Sequence, residues 1–309
     1  MKIVRESIEL GKLKGPAFAT LGNFDGLHLG HQKIIRELIS RAREAKGLAV
    51  VVTFDPHPRE VLNPGEPLFL MTTMDHRIRL FEQMGVDLVW VMRFDRDFAN
   101  ISANAFVEEI LFPNLKFCEL IVGKNYVFGK NRQGNAELLR LLSQKLQFKA
   151  DFVEPVETQG VVVSSSWIRR LIREGRLKEV EVLLGRPYSV CGPVVRGSGI
   201  GAEIGFRTAN LDSDRILLPP RGVYAVEVKL KDQTWLGVAN IGVRPTIEEL
   251  ERERLEVHIL DFQTNIYGSV IEVVFMEKLR EEVRFPDKTS LEKQIRKDVE
   301  NVRMKFLTT

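Results

Sequence analysis

The sequence predicts an α/β domain followed by an all-β domain, the latter a small antiparallel barrel with a terminal helix. Three observations carry this expectation. From Ala17 to about Val153, short apolar runs rich in β-branched residues alternate with amphipathic stretches of helical period. From Tyr188 to Leu279 the texture changes to successive strand-like runs separated by turns. The chain has 309 residues, more than a single hydrophobic core usually organises, so two domains are expected, 1–184 and 185–309, meeting at Gly185-Arg186-Pro187.

In the first half the strand-like runs are Ala17 to Leu21, Leu48 to Phe54, Leu88 to Phe94 and Glu119 to Val122. Each is apolar enough to be covered on both faces, as parallel strands are. The first helix is expected from about His31 to Lys46, with Ile34, Ile35, Leu38, Ile39 and Ala42 as its buried stripe and Gly47 ending it. A second follows Thr72-Thr73 and carries Ile78, Phe81 and Met84. In a doubly wound sheet of this kind, ligands sit beyond the carboxyl ends of the strands.

One helical stretch is expected from Ser166 to about Leu184. Strands follow at Ser189 to Val195, Val223 to Leu230, Thr234 to Ile241, Arg254 to Leu260 and Val270 to Phe275. An antiparallel barrel closes such a set most simply. The last helix places Leu291, Ile295, Val299, Val302 and Phe306 on one face, and Thr289 with Glu292 has the spacing of a capping box.

Composition narrows the class of protein. The 45 basic and 42 acidic residues leave a net charge of +3, interspersed along the chain, which does not mark a nucleic-acid protein. Cys118 and Cys191 form no CxxC or Cys/His cluster, so a reducing cytoplasm is the expected location. No apolar run approaches the roughly 18 residues that span a bilayer.

Directly after the first run comes Gly22-Asn23-Phe24-Asp25-Gly26-Leu27-His28-Leu29-Gly30-His31, leading into the first helix. Glycines allow close backbone approach, and the free N–H groups of a helix start favour an anion, so the junction suits phosphate. No Gly-Lys-Ser/Thr follows, which sets it apart from a Walker loop. Two imidazoles so spaced can hydrogen-bond ATP phosphates and stabilise charge that develops on the α-phosphate as pyrophosphate leaves. A helix-capping pair without catalysis is the structural alternative. Zinc is disfavoured, because no Cys or carboxylate cluster is evident to complete a site.

The His-x-Gly-His element is similar to the nucleotidyltransferase superfamily signature, and the longer string GNFDGLHLGHQ resembles the adenylyltransferase half of bifunctional riboflavin kinase/FAD synthetases. The resemblance implies a Rossmann-like nucleotidyltransferase domain. It makes His28 and His31 catalytic and puts Gly22, Asn23, Phe24, Asp25 and Gly30 in the nucleotide site. Thr53-Phe54-Asp55-Pro56-His57-Pro58 matches the same family, with Pro56 and Pro58 stiffening a turn beside which a flavin ring would lie. Asn125 falls where the family has Asp or Asn reading the nucleotide. Ser165, Ser166 and Arg169, at the start of a helix, resemble the superfamily's second phosphate-binding motif.

The second half carries the glycine-rich stretch Val194 to Gly205, then Phe206-Arg207-Thr208-Ala209-Asn210. Gly205 to Asn210 resembles the Gly-Phe-Pro-Thr-Ala-Asn motif of riboflavin kinases. That resemblance places Gly205, Thr208 and Asn210 against ATP, with Thr208 and Asn210 holding Mg²⁺. Strand alternation puts Leu255, Val257 and Ile259 on one face and Glu256 and His258 on the other. The family's matching Glu is the base for the riboflavin 5′-hydroxyl, which makes Glu256 catalytic; His258 is given no role. Two departures stand out: Arg207 replaces the family's Pro, and the charge-rich loop 248–254 replaces its glycine after Ile247.

The resemblance implies a bifunctional enzyme that phosphorylates riboflavin to FMN and adenylylates FMN to FAD. Its partners would be ATP, riboflavin and FMN, with no nucleic acid or membrane, and homo-oligomerisation is left open. The two departures leave open an FMN adenylyltransferase with a degenerate kinase domain, and a non-catalytic flavin or nucleotide sensor also remains.

Overall fold

The computed structural model describes residues 1–11, 13–197, 205–244 and 252–306. The expected features at 198–204 and 245–251, the middle of the glycine-rich loop and most of the charge-rich loop, lie outside the described residues. The chain divides into two compact units, Met1–Leu68 with Met74–Ser165, and Phe69–Thr73 with Ser166–Thr309.

The first unit is built on six parallel strands: β1 (Lys2–Val4), β2 (Ala17–Leu21), β3 (Leu48–Asp55), β4 (Leu88–Arg93), β5 (Glu119–Gly123) and β6 (Lys149–Val153), in the order β1-β4-β3-β2-β5-β6. The four inner strands coincide with the four apolar runs. Alternate residues of β3 explain why they read as continuous: Val50 and Val52 face one core with Trp90 and Phe106, while Ala49 and Val51 face another with Ile35, Leu38 and Phe81. The edge strands β1 and β6 were not expected. In β1 only Val4 is buried, and β6 has no fully buried residue, so neither produces an apolar run.

Strand order reverses between β2 and β5, the switch point at which such sheets open a crevice for ligands. The helix after β2, α1 (Leu29–Glu44), starts two residues earlier than expected because His28 is its N-cap. Further on lie α2 (Pro58–Leu62) and α3 (Met74–Met84). A short hairpin of β7 (Glu157–Thr158) and β8 (Val161–Val162) completes this unit.

The single helix expected from Ser166 is two, Ser165–Arg173 and Leu177–Leu184. Gly175 divides them at φ +73°, a left-handed conformation that ends a helix. The second unit then forms a closed barrel of β9 (Ser189–Val195), β10 (Ala209–Leu211), β11 (Gly222–Leu230), β12 (Gln233–Arg244), β13 (Arg252–Ile259) and β14 (Val270–Arg280), ordered β10-β13-β12-β11-β14-β9. The five expected strands are present. β10 is the sixth; its three residues are too few to show a period, yet without it the barrel would stay open.

The segment Phe69–Thr73 belongs to this unit. Leu70 N–H donates to the Arg215 carbonyl at 2.9 Å, Leu217 N–H donates to the Leu70 carbonyl at 2.8 Å, and the Tyr188 hydroxyl donates to the Leu217 carbonyl at 2.5 Å. The terminal helix Lys288–Phe306 packs Val299, Val302 and Phe306 against Val223, Ala225, Val238 and Leu260. Arg280 and the buried Asp298 pair at 2.8 Å on the same interface. Its first turn is capped by Asp287, whose Oδ1 accepts the Ser290 N–H at 2.7 Å, and not by the expected Thr289, which lies inside the helix. No helix among the described residues is long and apolar enough to cross a membrane.

Candidate active sites

In the first unit, the loop after β2 is held in a conformation its residues would not choose alone. Phe24 and Leu27 have φ of +52° and +43°, beside Gly26 at +77°. Such backbone persists only where packing over-determines it, and Phe24, Asp25 and Leu27 are all buried. Gly22 lies beneath the Phe24 ring, where an added Cβ would fall 2.9 Å from Cζ. From within the core, Arg77 on α3 donates to the Asn23 carbonyl at 2.5 Å. Sequence reasoning missed Arg77. It shares the buried face of α3 with Ile78 and Phe81, where an arginine in sequence reads as solvated.

This loop delivers two stacked imidazoles. The His28 and His31 rings are 3.6 Å apart at 19°, and Phe24 meets His31 edge-on at 5.3 Å. His28 Nδ1 accepts the His31 backbone N–H at 3.3 Å, so the expected alternative of a capping role is realised by His28. Because that nitrogen accepts, the proton of the neutral ring is assigned to Nε2, which leaves an N–H donor at the N-terminus of α1. Capping therefore occupies only one of the two ring nitrogens of His28. Gly30 makes room for it, as an added Cβ there would lie 3.1 Å from His28 Cε1.

β3 and β5 flank β2 in parallel, so the loops after all three strands gather at one sheet edge. Pro56 and Pro58 follow β3, with a cis Asp55–Pro56 bond and with Pro58 opening α2 behind its cap His57. Asn125 lies exposed in the turn after β5, which is closed by Tyr126 N–H donating to the Gly123 carbonyl at 2.9 Å. Ser165 donates to the Asp25 carbonyl at 3.4 Å, bringing the start of its helix to the histidine loop. Ser166 and the buried Arg169 lie further along that helix, in the second unit. Around Phe54, at the end of β3, the rings of Phe94, Phe98 and Phe106 form a cluster with centroids 5.4–6.5 Å apart. The sequence reading did not find this cluster, because its members come from separate elements.

In the second unit, a cavity of about 280 Å³ is lined by Arg207, Thr208, Asn210, Gly197, Ile259 and the loop 262–267. Gly205, at φ +83°, begins the chain segment that leads into it. Pairing across the barrel sets Asn210 opposite Glu256, and Glu256 opposite Asn240. Cross-strand partners share a face, so these three side chains form one polar row outside the barrel, while Leu255, Val257 and Ile259 are buried within. Asn240 was not singled out from the sequence.

Asn210 is 6% exposed, and its Oδ1 has no hydrogen-bond partner among the described residues. A buried, unpaired oxygen is costly unless a ligand satisfies it. Thr208 lines the same cavity, so the side-chain oxygens of the two residues are of the kind that suits a hard divalent cation. The Asn210 amide packs directly on Gly197, where any side chain would displace it.

A parallel-sheet unit presenting His-x-Gly-His at its switch point, followed by a six-stranded barrel with an Asn–Glu row, defines a two-site transferase that handles nucleotide phosphates. The family model for FAD synthetase matches residues 11–167 and that for riboflavin kinase matches residues 184–306. A bifunctional riboflavin kinase/FMN adenylyltransferase from Haemophilus influenzae is 39% identical, with 99% of each chain covered, and one from Escherichia coli K12 is 37% identical, covering 90% of this chain and 89% of the relative. A crystal structure described as a macrolide-efflux protein from Streptococcus pneumoniae superposes with a TM-score of 0.82 at 31% identity, covering 97% of this chain and 98% of that one. The chain belongs to the bifunctional riboflavin kinase/FMN adenylyltransferase family.

Proposed function

We propose that residues 185–309 transfer the γ-phosphoryl group of ATP to riboflavin, giving FMN and ADP, and that residues 1–184 join FMN to the AMP moiety of a second ATP, giving FAD and pyrophosphate. The pairing of Asn210 with Glu256 carries the kinase reading, because it sets a carboxylate beside an unsatisfied buried oxygen. Glu256 takes the proton of the riboflavin 5′-hydroxyl as that oxygen attacks the γ-phosphorus. Asn210 and Thr208 would hold Mg²⁺, which when bound neutralises phosphate charge. Gly205 and Gly197 keep the backbone close to the nucleotide.

In the adenylyltransferase, an FMN phosphate oxygen attacks the α-phosphorus of ATP and pyrophosphate leaves, with no covalent enzyme intermediate. The His28 Nε2–H and the His31 ring donate to the phosphate oxygens as charge builds there. The N-terminus of α1 adds its dipole. Gly22 to Asp25 and Gly30 shape this turn; Asn125 and Ser165 contact the nucleotide, and Pro56 and Pro58 border the flavin. The partners are these small molecules and the place of action is the cytoplasm, a reading supported by the nearly balanced charge and two widely separated cysteines.

The test is to incubate the purified protein with riboflavin, ATP and Mg²⁺ and follow the flavins by chromatography. FAD is the expected product. Turnover of FMN but not riboflavin would remove the kinase reading, and flavin binding without any turnover would remove both.

A further inference from the structure

His258 stands two residues beyond Glu256 on β13, on the same outward face of the barrel. Its Nδ1 lies 2.8 Å from the Arg207 carbonyl oxygen. A carbonyl oxygen only accepts, so Nδ1 must carry the proton in this contact. Both the Nδ1–H neutral ring and the imidazolium supply that donor. Phe206 meets the same ring edge-on, with centroids 5.2 Å apart. Thus one side chain grips two consecutive residues just before β10 begins.

What those residues lead to gives the grip its meaning. Arg207 and Thr208 line the 280 Å³ cavity together with Asn210. The Arg207 side chain is exposed and Thr208 is half-buried, so burial of the arm's own side chains does little to hold it. A proline at 207 would restrain the backbone through its fixed φ, whereas arginine leaves that rotation free. The hydrogen bond from β13 supplies a restraint from outside the segment.

We propose that His258 is a positioning residue of the kinase, clamping the Arg207 carbonyl so that Thr208 and Arg207 form a fixed wall of the nucleotide cavity. This rests on the reading of the barrel as a riboflavin kinase. His258 touches no reacting atom; it acts through the arm it holds.

The test uses the full-length protein with His258→Leu and His258→Asn. Asparagine places an amide N–H close to where Nδ1–H stands, and leucine does not. Losing one hydrogen bond that holds a binding wall is expected to lower kcat/KM for ATP in FMN formation about tenfold, mostly through KM. Asn should recover to within about threefold of wild type, as a retained donor predicts. FAD formation from supplied FMN should be unchanged in both variants. Wild-type kinetics in the Leu variant, an Asn variant no better than Leu, or joint loss of both activities would each overturn the clamp while leaving the kinase reading intact. Failure of the wild-type protein to make FMN from riboflavin would overturn both.

Discussion

Asn210 on β10 and Glu256 on β13 are direct partners across the barrel ladder, and the Asn210 Oδ1 is buried with no hydrogen-bond partner among the described residues. Asn210 Oδ1 accepts no hydrogen bond from the described residues, so its removal breaks none among them, whereas removing a ligand's partner does not leave binding intact. Asn210→Ala should therefore lower FMN formation by about 100-fold while thermal stability stays within about 2 °C of wild type. Glu256→Gln keeps shape and loses the base, so FMN formation should fall by about 10²–10⁴. FAD formation from supplied FMN serves as the internal control for both and should persist.

At His28, capping and the proposed phosphate contact can be tested apart. Asn is a strong N-cap, so His28→Asn should melt close to wild type, whereas His28→Ala should lose about 1 kcal/mol. Neither retains the Nε2–H, and FAD formation should fall by about 100-fold or more in both. His31→Ala should also block FAD formation while FMN formation continues. Chromatography of the flavins together with thermal melts distinguishes these outcomes.

Gly197 tests the packing behind the kinase site. A Cβ there would lie 2.6 Å from Asn210 Cγ, too close for an alanine unless the amide moves. Gly197→Ala should lower kcat/KM for riboflavin phosphorylation by about tenfold, the cost of displacing one ligand. Unchanged kinetics would show that the contact does not position Asn210.

The terminal helix has an acid-sensitive start. The Ser290 backbone N–H holds the exposed Asp287 carboxyl below the usual carboxylate range. A lowered native value means stability that is complete above the unfolded-state value, about 4, and is lost as pH falls through the lowered one. Amides in the first turn after Asp287 should lose hydrogen-exchange protection over that acidic window. Asp287→Asn, which caps without a charge, should remove this dependence.

Legibility followed local causes. The four inner strands of the parallel sheet were visible because burial on two faces demands unbroken apolar runs, and the histidine turn was visible because glycines and imidazoles crowd a strand–helix junction. The edge strands β1 and β6 were not, since one-sided burial leaves no such run. Arg77 was hidden for another reason: a buried cation looks like a solvated one until its partner, the Asn23 carbonyl, is known.

The sequence by itself determined the succession of an α/β unit and a barrel, and the chemical types placed at each junction, because helical and strand periods and turn residues act over a few neighbours. Only the tertiary structure decided that His28 caps with Nδ1, that β10 closes the barrel, that Asn210 faces Glu256, and that His258 holds Arg207. Register between strands far apart in the chain is set when the barrel closes, and a shift of one residue would have turned Asn210 and Glu256 to opposite faces.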